Sequence, residues 1–380
     1  MNPQTHFAIL GRQPEIGLIE LESVLGTSHI EDFGRHALLT ASADLSRLGG
    51  SIKIGRILVR QPLTKLDKLE LDLDVFPRPE GKLTFGVSSY GLRANSRELE
   101  AFGLSLKKTL KASGSVRYVA TKSGSTDLTA AQLKFNGLPG SGFELVILVR
   151  RNEMVIGITE QIQDIDAYAA RDHGRPARSA TVGMLPPKLA QILINTTSGP
   201  TIYDPFCGTG VVLQEALLMG KPAAGSDLSA DMVAASTTNL TWLGEKYGIP
   251  TWSVRSSDAR SVKLETSTTT GVSIVSEGYL GPNLTREPTS QERAALARDL
   301  MPLYRDALKN LASQLPSGAE VSICAPAWRV DGRFRPLEIV DEVAKLGYTI
   351  KVFETAPSRT IVYGRDDQIV GRALILLKKV

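Results

Sequence analysis

The stretch Asp-Pro-Phe-Cys-Gly-Thr-Gly at residues 204–210 decides the fold of the carboxyl half of this chain. It follows a short apolar strand-like run, 201–203, and precedes a helical run, 211–219. A strand, a glycine turn and a helix start, in this order, form a ligand-binding turn at the carboxyl edge of a parallel sheet. Gly208 and Gly210 let the backbone come close to a bound molecule.

Acidic residues follow the ends of three successive predicted strands. Asp204 ends the first strand, Asp227 ends the second in the run 223–227, and Asp258 follows the third, 251–254. A carboxylate accepts two hydroxyl hydrogen bonds, so Asp227 suits a ribose diol, whereas Asp258 suits the amine of adenine. A helix N-cap or turn is the structural alternative for each acid taken singly.

The pattern of the glycine turn separates two classes of cofactor. A dinucleotide-binding turn reads G-x-G-x-x-G, but the third glycine position here is Leu213. A carboxylate beside a pyrophosphate is unfavourable, whereas a carboxylate beside a sulfonium and a free amino group is favourable. The predicted cofactor is therefore S-adenosylmethionine (SAM).

These motifs resemble the Trm11 and archaeal tRNA guanine-N2 methyltransferase family. The resemblance rests on residues 204–210, on Glu215 in the following helix, and on Gly225-x-Asp227. The segments 175–176 and 183–192 resemble the family's lead-in helix beside the cofactor, and the likeness is strongest over 167–243. It implies a SAM site formed by the following residues: Asp204, Phe206, Cys207, Gly208, Gly210, Asp227, Leu228, Asp258 and Ala259.

The loop after the fourth predicted strand, 272–275, departs from the pattern of that family. The family has Asp/Asn-Pro-Pro-Tyr/Phe at this point, whereas this chain has Ser-Glu-Gly-Tyr-Leu-Gly-Pro-Asn at 276–283. Glu277 is predicted to accept a hydrogen bond from the target amine, Tyr279 to stack on the base, and Pro282 to complete the catalytic turn. A surface turn is the alternative, because glycine and proline favour turns.

The predicted fold class is α/β, with two domains. A carboxyl-terminal doubly wound Rossmann-like SAM methyltransferase domain covers 176–380, because strands and helices alternate there. An amino-terminal α+β domain of the THUMP or ferredoxin-like type covers 1–165, and a polar linker covers 166–175. Within the carboxyl half, a fifth strand is expected at 320–324, a helix after Pro336 ending near Leu346, and a hairpin-like insert at 359–363.

Composition limits the function classes. The chain has 380 residues, a net charge of +4 and two cysteines. No apolar run approaches the roughly 20 residues that span a bilayer, so no membrane segment and a cytoplasmic location are expected. The cysteines and histidines lack the spacing of metal ligands, so no metal is predicted. The weak positive charge permits RNA as a partner without requiring it.

Basic residues in two segments are candidates for RNA contacts. Lys107 and Lys108 share a predicted helix with an apolar face. Arg329, Arg333 and Arg335 alternate with aromatic residues after the fifth strand, a mixture that suits single-stranded or flipped bases. A solvated surface is the alternative for both segments.

The leading hypothesis is a SAM-dependent RNA methyltransferase that acts on the exocyclic N2 of a guanine in tRNA. Two alternatives stay open. The target is instead a guanine N2 in rRNA or an adenine N6 in DNA, or the chain is a non-catalytic RNA-binding protein that retains SAM. The sequence does not identify the nucleotide, the number of methyl groups, the oligomeric state or a protein partner.

Overall fold

The structure is a computed structural model and describes residues 4–77, 81–178, 184–265, 271–358 and 360–380. It divides the chain into two units. The first comprises residues 1–14, 25–46 and 51–166, and the second comprises 15–24, 47–50 and 167–380. None of the helices in the described ranges is both long and apolar enough to cross a membrane.

The first unit is built on an eight-stranded sheet in the order β2-β3-β1-β4-β8-β7-β5-β6. Its strands are β1 (His6–Leu10), β2 (Ile30–Asp32), β3 (His36–Leu39), β4 (Ser51–Pro62), β5 (Leu83–Tyr90), β6 (Val116–Val119), β7 (Gly142–Arg150) and β8 (Glu153–Ile162). β5 runs parallel to β6 and β7, and the other neighbours pair antiparallel. β2 and β3 are too short to stand out in the sequence and were not predicted.

Four helices belong to the amino-terminal half of the chain: α1 (Pro14–Leu25), α2 (Ser96–Leu110), α3 (Ala130–Phe135) and α4 (Ile165–His173). α2 begins at a capping box between Asn95 and Glu98 and buries Leu99, Leu106 and Leu110, the apolar face that the sequence predicts. α4 occupies the stretch for which a linker is predicted. The boundaries of the predicted domains otherwise stay predictions.

Helix α1 supplies residues 15–24 to the second unit, although it lies early in the chain. Its Ile16 and Ile19 pack in the apolar core of that unit. Glu20 is buried and accepts hydrogen bonds from the backbone N–H groups of Gly49 (2.9 Å) and Gly50 (2.8 Å) and from Asn195 Nδ2 (2.8 Å). The second unit is therefore assembled from three separate segments of the chain.

The second unit is built on a nine-stranded sheet in the order β11-β10-β9-β12-β13-β17-β15, with β14 paired to β13 and β16 paired to β17. Its strands are β9 (Thr201–Asp204), β10 (Ala223–Asp227), β11 (Trp252–Ser256), β12 (Val272–Ser276), β13 (Glu320–Val330), β14 (Arg333–Pro336), β15 (Tyr348–Ile350), β16 (Ile361–Tyr363) and β17 (Val370–Lys379). Its further helices are α5 (Pro187–Asn195), α6 (Val211–Leu218), α7 (Ala230–Tyr247) and α8 (Ser290–Ala312).

The five strands from β11 to β13 pair in parallel, whereas β17 runs antiparallel to β13 and β15. Strands that alternate with helices bring the carboxyl ends of β9, β10 and β12 to one edge of the sheet, where ligands bind in this architecture. The predicted two-part α/β fold class is thus confirmed.

Two predictions for the carboxyl half need correction. β13 continues to Val330 and forms a hairpin with β14, so Trp328 is a buried strand residue and not part of a loop. The stretch after Pro336 forms two 3-10 turns, Glu338–Asp341 and Val343–Leu346, where a helix is predicted. Of the predicted insert at 359–363, Arg359 lies outside the described residues, and Ile361–Tyr363 forms β16.

Candidate active site

The glycine turn after β9 adopts a conformation that requires glycine at two positions. Gly208 and Gly210 have φ angles of 50° and 84°. A Cβ at Gly210 would lie 2.4 Å from Ser236 Oγ, whereas one at Gly208 would meet nothing within 4 Å. The N–H of Gly208 donates to Asp227 Oδ2 at 2.9 Å, which ties the turn to the end of β10. The open space at Gly208 allows close approach of a ligand.

Asp204 is a buried carboxyl group at the end of β9. Its Oδ1 accepts the N–H of Phe206 at 3.0 Å, and the Ser276 hydroxyl donates to the same carboxyl. Burial raises the pKa of Asp204 from 3.8 to about 7, and the nearby carboxylates of Asp227 and Glu277 add to the rise. A cation placed beside Asp204 would therefore stabilise its ionised form.

The end of β10 combines a carboxylate with an exposed apolar side chain. Asp227 Oδ1 accepts the N–H of Ser229 at 2.9 Å, which leaves further lone pairs of this carboxylate for hydroxyl donors. Leu228 is 70% exposed, which is unusual for a leucine beside a strand end. This pair suits a ribose with an adjoining flat apolar ring.

Asp258 and Ala259 follow β11, which pairs in register with β10. Asp258 holds Arg260 in a two-oxygen ion pair, with a shortest distance of 2.6 Å, and this pair lowers the pKa of Asp258. The carbonyl oxygen of Ala259, which is buried, accepts Asn310 Nδ2 at 3.1 Å. Asp258 and Ala259 therefore lie at the sheet edge but outside the pocket described next.

A pocket opens between the glycine turn and the loop after β12. It brings together five of the predicted site residues: Asp204, Phe206, Cys207, Gly208 and Glu277. Its lining also includes Met184 and Leu185 of the predicted lead-in segment, Thr209 of the turn, and Met232, for which the sequence predicts no role. The predicted acceptor Glu277 therefore faces the same space as the predicted cofactor turn.

Glu277 follows β12 directly and forms an ion pair with a buried arginine. Its Oε1 accepts Arg372 Nε of β17 at 2.6 Å, and the two side chains are 18% and 4% exposed. Burial raises the pKa of Glu277, and the charges of Arg372 and Arg175 oppose that rise. No motif in the sequence assigns a role to Arg372, although a charged residue inside the apolar run 370–377 was the available signal.

The rest of the loop after β12 turns sharply outward. Gly278 has a φ of 69°, and a Cβ there would lie 2.5 Å from both the Cys324 carbonyl oxygen and Tyr304 Oη. The Tyr304 hydroxyl donates to the carbonyl oxygen of Tyr279 at 2.9 Å. The side chain of Tyr279 is 47% exposed. A tyrosine whose backbone is fixed by a hydrogen bond and whose ring is exposed to solvent is suited to stacking on a base.

The third predicted catalytic residue, Pro282, is exposed and lies outside the pocket lining. The two cysteines, Cys207 and Cys324, are buried, and burial raises the pKa of both thiols. A thiol with a raised pKa is a poor nucleophile, so these residues do not favour the cysteine chemistry of pyrimidine C5 methylation.

A buried charged cluster lies beside the pocket wall. Arg175 is 2% exposed, its Nη2 lies 2.8 Å from Met184 Sδ, and its Nε and Nη1 have no hydrogen-bond partner among the described residues. Glu215 Oε1 accepts Arg171 Nε at 2.7 Å. Burial raises the pKa of Glu215 to about 7 despite these cations. Arg175 thus offers buried donors next to a residue that lines the pocket.

The predicted RNA contacts differ in their availability. The Arg329 guanidinium donates to the carbonyl oxygens of Gly332, Arg365 and Gln368 and stacks on Phe334 at 4.4 Å. Arg333 and Arg335 on β14 are exposed, as is Lys108 on α2, whereas Lys107 is half-buried. Arg329 is therefore occupied in holding its hairpin, and the other four remain predictions.

The model of the UPF0020 family, described as an RMKL-like methyltransferase domain, matches residues 175–325. This range contains the glycine turn, the pocket and the loop after β12. Residues 175–325 are therefore similar to this methyltransferase family. The predicted cofactor class, SAM, is confirmed with it.

Two curated relatives are similar to the methyltransferase domain and its surroundings. The chain is 34% identical over 160 residues to a tRNA (guanine(10)-N2)-dimethyltransferase of Methanothermobacter thermautotrophicus, covering 41% of this chain and 42% of the relative. It is 34% identical over 132 residues to the enzyme of the same name from Pyrococcus abyssi, covering 34% and 36%. The chain thus matches about two fifths of the length of these relatives.

A solved structure extends the likeness beyond the methyltransferase domain. TrmN from Thermus thermophilus matches with a TM-score of 0.57 and 16% identity, covering 100% of both chains. At this identity the match shows the fold alone. It agrees with the two-sheet α/β architecture over the whole chain.

The pocket of the methyltransferase domain fits SAM on its own chemistry. A cationic ligand would satisfy the buried carboxyl of Asp204, and an added Cβ at Gly208 would face open space. The unpartnered donors of Arg175 suit a carboxylate. SAM carries both cationic groups and a carboxylate, so these residues match its charges.

Proposed function

We propose that this protein is a SAM-dependent RNA methyltransferase that methylates the exocyclic N2 of a guanine in tRNA. The observation that carries the proposal is the shared pocket, in which Glu277 faces the glycine turn and the buried Asp204. The names of the two curated relatives support guanine N2 in tRNA as the target. A tRNA substrate is consistent with the expected cytoplasmic location.

Residues of the methyltransferase domain would hold SAM by charge and hydrogen bonding. Asp204 would lie beside the methionine amino group, Arg175 beside the carboxylate, and Asp227 would accept the ribose hydroxyls. Leu228 would cover one face of the adenine, and Asp258 would accept the adenine amine. Cys207 and Gly210 shape the turn from which these groups are presented.

SAM supplies a methyl group on a positively charged sulfur. The guanine amine is a poor nucleophile, because its lone pair is delocalised into the ring. In the proposed step the amine nitrogen would form a bond to the methyl carbon as the electron pair of the carbon–sulfur bond returns to sulfur. The nitrogen would then pass its proton to the carboxylate of Glu277. Glu277 would accept a hydrogen bond from the amine and favour the developing positive charge, and Tyr279 would stack on the flipped base.

The amino-terminal unit is proposed to bind RNA, as a THUMP-like domain does. Support comes from the exposed Lys108 and half-buried Lys107 on α2 and from the match to TrmN over the whole chain. The exposed Arg333 and Arg335 of the second unit would contact nucleotides near the target base.

The test is methyl transfer from labelled SAM to tRNA, followed by mass spectrometry of the digested nucleosides. The expected product is guanosine methylated at N2. Glu277→Gln should lower turnover by about 100-fold or more, since a positioned acid–base group contributes at least that much. Glu245→Gln is the matched control, because Glu245 is exposed on α7.

Three outcomes would contradict the proposal. Methylation of rRNA guanine or DNA adenine in place of tRNA would establish one of the alternative substrates. SAM binding without turnover on any nucleic acid would favour a non-catalytic RNA-binding protein. Full turnover of Glu277→Gln would remove that residue from the mechanism.

A further inference from the structure

Arg372 is a cation in the interior of an apolar strand. It lies on β17, is 3% exposed, and is followed by Ala373, Leu374 and Ile375, which are buried. Replacing a buried ion pair by well-packed apolar residues is often neutral or stabilising. Stability alone therefore gives little reason for an arginine at this position.

The geometry directs this cation to the pocket. Arg372 Nε lies 2.6 Å from Glu277 Oε1, and Nη2 lies 3.4 Å from the carbonyl oxygen of Met184. Glu277 and Met184 both line the pocket. The pairing partner of Arg372 is thus the residue proposed to accept the target amine.

The charged groups around Glu277 oppose one another. Arg372 on β17 and Arg175 favour its carboxylate form, whereas burial disfavours that form. The carboxyl of Asp204 on β9 interacts unfavourably with Glu277, and the neutral side chains of Cys324 on β13 and Tyr304 on α8 are within electrostatic range. Without Arg372, the balance would move toward the neutral acid.

We infer that Arg372 is a positioning residue that holds Glu277 ionised and oriented at the site of methyl transfer. The inference rests on the proposed function. It also explains how the loop after β12 can depart from Asp/Asn-Pro-Pro-Tyr/Phe. That pattern has two prolines after its acceptor, whereas this loop has Gly278 after Glu277 and Glu277 is contacted from a distant strand.

The test compares the full-length protein with Arg372→Gln and Arg372→Lys, with kcat and KM measured across pH. In Arg372→Gln, the acidic limb of the kcat profile should move up by about one to three pH units, since a close opposite charge shifts a carboxyl pKa by that amount. The KM for SAM should change little. Arg372→Lys should keep the acidic limb in place and lower kcat by about tenfold, because it keeps the charge but loses the planar geometry.

Arg305→Gln is the matched control. Arg305 also forms an arginine–glutamate pair at 2.6 Å, with Glu342, but that pair is part-exposed and outside the pocket lining. Its pH profile should equal that of the wild-type protein. A folded Arg372→Gln protein with the wild-type profile would overturn the inference while leaving the proposed function intact. If Arg372→Gln does not fold, a wild-type kcat in Arg372→Lys would overturn it.

A separate readout covers failure of the proposed function itself. If the wild-type protein methylates no RNA, thermal unfolding is measured from pH 5 to 8 in two pairs of variants. One pair is Arg372→Gln with and without Glu277→Gln, and the other is Arg372→Lys with and without Glu277→Gln. The difference within each pair is the contribution of Glu277. In the Arg372→Gln pair, Tm should fall as the pH rises, and this fall should depend on Glu277. The reason is that folded Arg372→Gln holds a proton on Glu277 that the unfolded chain releases. The lysine replacement, which keeps the opposing charge, should add a smaller Glu277-dependent loss. Equal pH dependence for the glutamine and lysine series would overturn the inference.

Discussion

The glycine turn after β9 and the loop after β12 line the same pocket, yet they are supported in different ways. The turn is fixed by nearby residues: Gly208 is bonded to Asp227, 19 positions further along the chain. The loop depends on Arg372, 95 positions beyond Glu277. A binding site for a common cofactor can thus be specified locally, while the site for a particular target is specified by the whole sheet.

The largest expected effect is confined to the turn. Asp227→Ala removes both the proposed ribose acceptor and the oxygen that holds Gly208, so SAM affinity should fall by about 100-fold or more. Isothermal titration calorimetry measures this directly. Asp231→Ala is the control, since Asp231 is exposed in the first turn of α7. Unchanged affinity in Asp227→Ala would refute the cofactor assignment.

A smaller effect is expected in the loop, without loss of cofactor. In Gly278→Ala, the new methyl group would collide with Tyr304 and the Cys324 carbonyl, which displaces Glu277 and Tyr279. Methyl transfer should fall by about tenfold to 100-fold, whereas SAM affinity should stay within about threefold. Steady-state rates and calorimetry separate the two quantities.

Gly248→Ala controls for backbone strain in that experiment. Gly248 has a φ of 60°, but a Cβ there would meet nothing within 4 Å. It should therefore lose some stability without losing transfer. Parallel losses of SAM affinity and transfer in Gly278→Ala would show that the turn and the loop are not independent.

The smallest expected effect is a pH dependence of SAM affinity. The pKa of Asp204 is raised to about 7, and a cationic ligand prefers its ionised form, so affinity should rise with pH. Between pH 6 and 7.5 the dissociation constant should fall by about five- to tenfold, following the ionised fraction. In Asp204→Asn this dependence should disappear, and a dependence that persists would assign it to another group.

The same shift has a consequence for the free protein. The folded pKa of Asp204 lies above its unfolded value of 3.8, so the folded state holds a proton that the unfolded chain releases. The contribution of Asp204 to the free energy of unfolding is fully present below pH 3.8. It is lost as the pH rises toward 7, by about 1.4 kcal/mol per pH unit. Bound SAM should reduce this loss.

Local patterns in the sequence predicted much of the carboxyl half. The bounds of β10 agree residue for residue with the structure, and β9 ends at the predicted acid Asp204, because each strand is marked by an acid at its carboxyl end. β13 was underestimated, since Ala325 and Pro326 resemble a strand end, although Pro326 pairs opposite Arg372 inside the sheet. Nothing adjacent to Glu277 in the sequence identifies its ion-pair partner.

The discontinuous makeup of the second unit limits how this protein can be recombined. Residues 15–24 and 47–50 belong to the second unit, although their sequence neighbours belong to the first. Within the second unit, Glu20 accepts hydrogen bonds from Gly49, Gly50 and Asn195. A chimera that fuses 167–380 to a foreign amino-terminal module would lack these partners and leave Asn195 without its acceptor. The two units therefore cannot be exchanged through a single junction in the chain. Substitutions in α1 are expected to affect the second unit as well as the first.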